Sequence, residues 1–124
     1  MPANRLLLVA AACLMAAAAR AHHSFAAEFM ADQTGTIEGV VTEVWFRNPH
    51  VRYYVEITLG DGSTESWDVR TSSPTQLSRR GWTQDTITEG DQVKVLGHLG
   101  RDGRKLLSLI SIELADGTKL SVNY

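Results

Sequence analysis

The sequence predicts an all-β domain carrying one short helix, and three observations predict it. The stretch "VRYYVEITL", Val51–Leu59, alternates strictly: Val51, Tyr53, Val55, Ile57 and Leu59 share one face, and Arg52, Tyr54, Glu56 and Thr58 share the other. That period of two is the signature of a strand with one buried side. Other runs rich in β-branched and aromatic residues are punctuated by Gly-containing turns such as "GDGS", "TEGD" and "ADG", which read as strand connections. Only "SSPTQLSRRGW" changes period.

The elements follow in order. Residues His22 to Thr34 form a polar and aromatic lead-in, with Phe25 and Phe29 spaced to cover a core edge or dock a helical turn. Thr36–Phe46, "TIEGVVTEVWF", predicts a first strand. Its alternation stumbles at Val40-Val41 beside Gly39, as a bulge or sharp bend would. "RNPH", Arg47–His50, ends it, because Asn-Pro favours a turn. Val51–Leu59 is the second strand, and Thr64–Val69 the third, with Glu65, Trp67 and Val69 on one face. Asp61-Gly62 marks the hairpin between them. The helix starts with Ser73 as N-cap and Pro74 at the first helical position, and Gly81 stops it. Val93–His98 predicts a fourth strand, Leu106–Leu114 a fifth and Lys119–Val122 a short sixth.

The order β-β-β-α-β-β, with a long bent first strand and a helix between strands three and four, predicts a small OB-like Greek-key barrel. Closure would also remove exposed sheet edges. The alternative is an open antiparallel sheet with one covering helix. Both place Ile37, Val41, Tyr53, Val55, Ile57, Trp67, Val69, Leu77, Val93, Val95, Leu109 and Ile112 in the core. Trp82 is expected to plug it.

The first 21 residues predict a secretory leader. Arg5 supplies a positive start, and Leu6–Ala19 is an apolar run of 14 residues. Such a run is short for a membrane span, which needs roughly 20 residues, but suits a signal peptide. Ala19 and Ala21 flank Arg20 in an A-x-A cleavage pattern. Cleavage after Ala21 makes the mature chain, residues 22–124, periplasmic or secreted, with no transmembrane helix. Lipidation at Cys13 is a weaker alternative. Cys13 is the single cysteine and leaves with the leader, so the mature domain rests on its core without a disulfide. Residues 22–124 read as one domain.

Losing Arg5 and Arg20 takes the Lys+Arg count from 12 to 10 against 14 acidic residues. That balance argues against nucleic acid as a partner, since phosphate binding draws on clustered cations. Arg79-Arg80 and Arg101, Arg104 and Lys105 read as solvated loop charge.

Four histidines survive cleavage: His22, His23, His50 and His98. A new N-terminal His22 would offer its α-amine and imidazole to one metal ion, and a further imidazole would complete a nitrogen-rich set of the kind Cu(II) prefers. His50, held in the Asn-Pro turn, is the favoured third donor. His23 and His98, the latter at the end of strand four, are auxiliary. The competing reading leaves all four as ordinary polar residues. No Cys-x-x-Cys or His-x-x-x-His pattern points to structural zinc. The outward face of strands two and three, Arg52, Tyr54 and Glu56, is a candidate surface for an envelope protein or small ligand. Glu56 and Glu65 could approach across the hairpin, but paired acids alone are thin support for hydrolysis. No nucleophile elbow is present, so the pattern favours binding over catalysis.

Several spaced motifs add a resemblance. HHSFAAEF after the leader, NPH at Asn48–His50, SSP-x-x-L-x-RRGW over Ser72–Trp82, EGD-x-V-x-V-x-G over Glu89–Gly97 and RDG at Arg101–Gly103 resemble a family of small exported bacterial proteins of unknown function. The resemblance spans the mature chain. It implies export and no established activity. It also implies an acidic residue after HHSFAAEF, where this chain carries Met30, so no role of that carboxylate is carried over.

Overall fold

A computed structural model describes residues 25–122. The predicted cleavage residues Ala19 and Ala21, together with Cys13, His22 and His23, lie outside the described residues. Residues 25–28 are helical. Six strands follow: β1 Phe29–Trp45, β2 Arg52–Thr58, β3 Thr64–Arg70, β4 Gln92–Gly100, β5 Leu106–Leu114 and β6 Lys119–Ser121. A single-turn helix, α1 Pro74–Ser78, connects β3 to β4. Ser73 caps it, its hydroxyl accepting from the Gln76 amide, and Pro74 opens it. Gly81 then takes φ +87°, a left-handed turn that a glycine adopts without steric cost.

The strands pair in the order β3-β2-β1-β4-β5-β6, and β3 also pairs with β5 in parallel. That extra pairing joins the two sides into a ring and rejects the open-sheet alternative. It comes from three register pairs, Asp68↔Leu106, Val69↔Leu107 and Arg70↔Ser108. β6 continues along the same edge of β5, beyond β3.

β1 makes the ring geometry work. Its first part pairs with β4 and its last part with β2, and Val40 pairs with both Gln92 and Glu56. The predicted disruption is here, with a register shift between Val41 and Glu43. A Cβ on Gly39 would collide with the Glu56 carbonyl, so glycine allows β2 to close on the bend. β1 starts seven residues before the predicted Thr36. Pairing lapses between Phe29↔Gly100 and Thr34↔His98, and the polar "MADQ" between them hides the strand from a periodicity reading.

Inside the ring, Val41, Tyr53, Val55, Val69, Leu77, Val95, Leu109 and Ile112 are almost fully buried, joined by Ile37, Val93 and Trp82. Ile57 and Trp67, expected in the core, are only half-buried and pack against it. Ile57 lies past the last β1–β2 pair, Val40↔Glu56, and Trp67 lies just before Asp68, where β3 begins to pair with β5. Leu59, beyond the end of β2, is exposed. Leu77, Trp82 and Ile87 belong to the same core cluster, so α1 and the loop after it pack against the core. Among the described residues no helix is long and apolar enough to cross a membrane.

Candidate functional site

The outer surface of the ring carries the chemistry. Because side chains alternate, Arg52, Tyr54 and Glu56 of β2 point outward while Tyr53 and Val55 fill the core. On one side, Trp45 pairs with Arg52 and Glu43 with Tyr54. On the other, Arg70 pairs with Arg52 and Asp68 with Tyr54. The row continues through Ser108 of β5 to His98 of β4 and Thr34 of β1.

One end of the row is aromatic and cationic. The Trp45 and Tyr54 rings meet edge-on, with centroids 5.4 Å apart at 67°. The Arg47 guanidinium lies 3.9 Å from the Trp45 ring centre and that of Arg52 5.8 Å. Guanidinium groups sit favourably on the negative face of an indole. The Trp45 indole N–H donates to the Glu43 carboxylate, which fixes the ring orientation. Sequence reading assigned Arg52 and Tyr54 to this face but missed Arg47. That residue follows the strand, and only the fold carries it back over Trp45.

The middle of the row is an ionic ladder. Asp68 Oδ2 accepts from Arg52 Nη1 at 3.3 Å and from Arg70 Nε at 3.2 Å. Arg70 Nη1 donates to Glu28 Oε2 at 2.7 Å, and Arg104 Nη2 lies 3.9 Å from Glu28 Oε1. The hydrogen bond from Arg70, reinforced by its charge, holds the Glu28 carboxyl below its usual pKa. Asp68 Oδ1 is buried with no hydrogen-bond partner. Lys105 pairs with Glu65 at 3.2 Å, and Arg101 donates to the Ala26 carbonyl. Of the loop cations expected to be solvated, Arg101, Arg104 and Lys105 are therefore engaged. Their partners lie far away in sequence, in the helical turn before β1 and on β3. Glu56 and Glu65 do not approach as a pair: Glu56 sits opposite Ser66, and Glu65 opposite Ile57. One residue of register puts the two carboxylates on opposite faces.

The two described histidines are separate. His50 is exposed in the β1–β2 loop, with Nδ1 3.0 Å from the Thr71 carbonyl. A carbonyl only accepts, so Nδ1 carries the proton, and in the neutral ring Nε2 presents a lone pair. His98 is not at the strand end beside the following loop, as the sequence suggested. It lies within β4, which runs on to Gly100, and it faces outward beneath Phe25, the two rings 5.7 Å apart and perpendicular. Its Nδ1 is buried without a partner. No group of three or more metal-ligating side chains exists among the described residues.

Solved structures share this arrangement of strands. The mitochondrial single-stranded DNA-binding protein of S. cerevisiae superposes with TM-score 0.51 at 17% identity, covering 69% of this chain and 96% of that one. Its selenomethionine-labelled form gives 0.51 at 18%, covering 69% and 97%. A small single-stranded DNA-binding protein from Streptomyces coelicolor gives 0.44 at 19%, covering 72% and 99%. The first two support the OB-like fold. They also correct the exclusion of nucleic acid drawn from net charge, because proteins built on this fold bind single-stranded DNA. A net acidic balance does not describe the local charge of one face, and here two guanidinium groups flank two aromatic rings. No curated protein matches the sequence. A family profile matches residues 10–107, most of the chain, and by that match the protein belongs to a family of unknown function, DUF6152.

Proposed function

We propose that the protein is a binding module that takes single-stranded nucleic acid on the outer face of β1 and β2. The carrying observation is the Trp45–Tyr54 pair flanked by Arg47 and Arg52. Bases stack on aromatic rings and guanidinium planes, and phosphates pair with the same cations. The fold of the S. cerevisiae protein supports the reading. The test is anisotropy of a labelled 15-mer oligothymidylate at low salt. Trp45→Ala and Tyr54→Ala are each expected to weaken binding roughly 5- to 150-fold, matching about 1–3 kcal/mol per stacked base. Arg52→Ala is expected to flatten the salt dependence by about 0.7 in log–log slope. Absence of oligonucleotide binding, or binding indifferent to Trp45 and Tyr54, sinks the reading. Capture of a peptide or small molecule by the same face, abolished by Tyr54→Ala, would replace it with the envelope-ligand alternative.

A second reading is Cu(II) binding by the exported, processed chain, through the His22 α-amine and imidazole with one further imidazole. The unpartnered Nδ1 of His98 supports it and shifts the favoured third donor from His50 to His98. Phe25 is three positions after His22, a reach of at most about 10 Å, and Phe25 lies on His98. His50, its Nδ1 already committed to Thr71, offers Nε2, and His23 remains auxiliary. Titration of the mature chain with Cu(II) is expected to lose affinity at least tenfold on adding one residue before His22, and on His98→Ala. Unchanged affinity in the extended chain eliminates the amine as a ligand.

A further inference from the structure

The loop cations Arg101 and Arg104, and Glu28 of the N-terminal helical turn, belong to neither site above. Residues 25–28 lie on the outer face, held at three points. Phe25 stacks on Phe29, 5.2 Å between centroids, and meets His98 edge-on. The Ala26 carbonyl accepts from Arg101. Glu28 divides its two oxygens between guanidinium groups brought from different elements, Oε2 to Arg70 of β3 and Oε1 to Arg104 after β4.

We propose that Arg70 and Arg104 form a binding site for a phosphate-class oxyanion, which Glu28 of the chain's own N-terminal turn occupies as a stand-in. The ladder Arg104–Glu28–Arg70–Asp68–Arg52 alternates in sign along the face. With Glu28 in place it carries three cations and two anions, and without it the excess is two positive charges. The Arg70 side chain is only 16% exposed. A partly desolvated guanidinium keeps a strong demand for an oxyanion, and Asp68 meets it through Nε alone. Nη1 is left for whichever anion replaces Glu28. The cover joins β1 at Phe29, which is buried and pairs with Gly100, and beyond it residues 30–33 leave register with β4 and residues 31–33 are exposed. The turn therefore lifts either by itself, by parting Phe25 from Phe29, or together with Phe29, while β1 stays paired from Thr34 onward. The site does not depend on Trp45 or Tyr54 binding anything.

The experiment is an amide-shift titration of the full chain with inorganic phosphate, against acetate and chloride at matched ionic strength. In Glu28→Gln, shifts at Arg70 and at residues 101–104 are expected to saturate with an apparent Kd at least fivefold lower than in the unaltered protein. Adding Arg104→Ala is expected to cancel the gain. Phe25→Ala, which loosens the turn without touching either guanidinium, is expected to move affinity in the same direction, so the result does not hang on one variant folding. Acetate matching phosphate in the Glu28→Gln protein reassigns the site to carboxylates and overturns the phosphate assignment. Equal Kd values in the folded variants and the unaltered protein, or a gain that survives Arg104→Ala, overturns the site itself.

Discussion

Glu28 shows how one contact organises the outer face. Its carboxyl is held below its ordinary value of 4.5, chiefly by the hydrogen bond from Arg70, against a smaller opposing effect of burial. A carboxyl whose folded pKa is depressed contributes fully above the unfolded value and loses that contribution as pH falls through the folded one. The cations facing it, Arg70, Arg104 and Arg52, stay charged throughout that range. The turn is therefore expected to remain seated at pH 5 and above, and to release only below the usual carboxylate range. A carbon-detected titration of Glu28 checks this, and a midpoint at or above 4.5 would show that the Arg70 contact does not form in solution. Nothing in the local sequence reveals the contact, because Glu28 and Arg70 are 42 residues apart. Tyr53 is the opposite case. Burial raises its phenol pKa, and its place in the core is readable from the alternation of β2.

At the scale of elements, local chemistry is legible wherever one strand meets one partner. The boundaries of β2, β3, β5 and α1 follow from alternation, the Asp61-Gly62 turn and the Ser73-Pro74 start. Asp61 accepts from the Ser63 amide and Asp116 from that of Thr118, the turn roles their glycine neighbours indicated. β1 is harder, because it serves two partners in succession and its irregularities interrupt the period. Gly39 marks the handover. Gly39→Ala places a methyl against the Glu56 carbonyl, where neither β1 nor β2 can yield without disturbing the ladder. A loss of about 1–3 kcal/mol is expected from such overpacking, read as a lower urea midpoint with unchanged slope. An unaltered midpoint would mean that the two strands separate freely at the bend.

For the whole molecule, closure is the decisive event. The β3–β5 pairing joins residues about 38 positions apart and sets Arg52, Arg70, Ser108 and His98 in one transverse row. Net charge, a property of composition, does not exclude a nucleic-acid partner, because binding responds to the field of a face rather than to a sum over the chain. Local sequence is enough to read the elements, most of the core and the outward direction of Arg52, Tyr54 and Glu56. Those depend on periodicity, caps and turns within a few residues. The folded ring adds that the sheet closes, that Arg47 returns over Trp45, and that His98 lies under Phe25 rather than beside His50. It alone brought Glu28 between Arg70 and Arg104. Apart from the short return of Arg47, each of these is a contact between distant segments, set by strand register around the ring, and register is a property of paired strands that no single stretch of sequence carries.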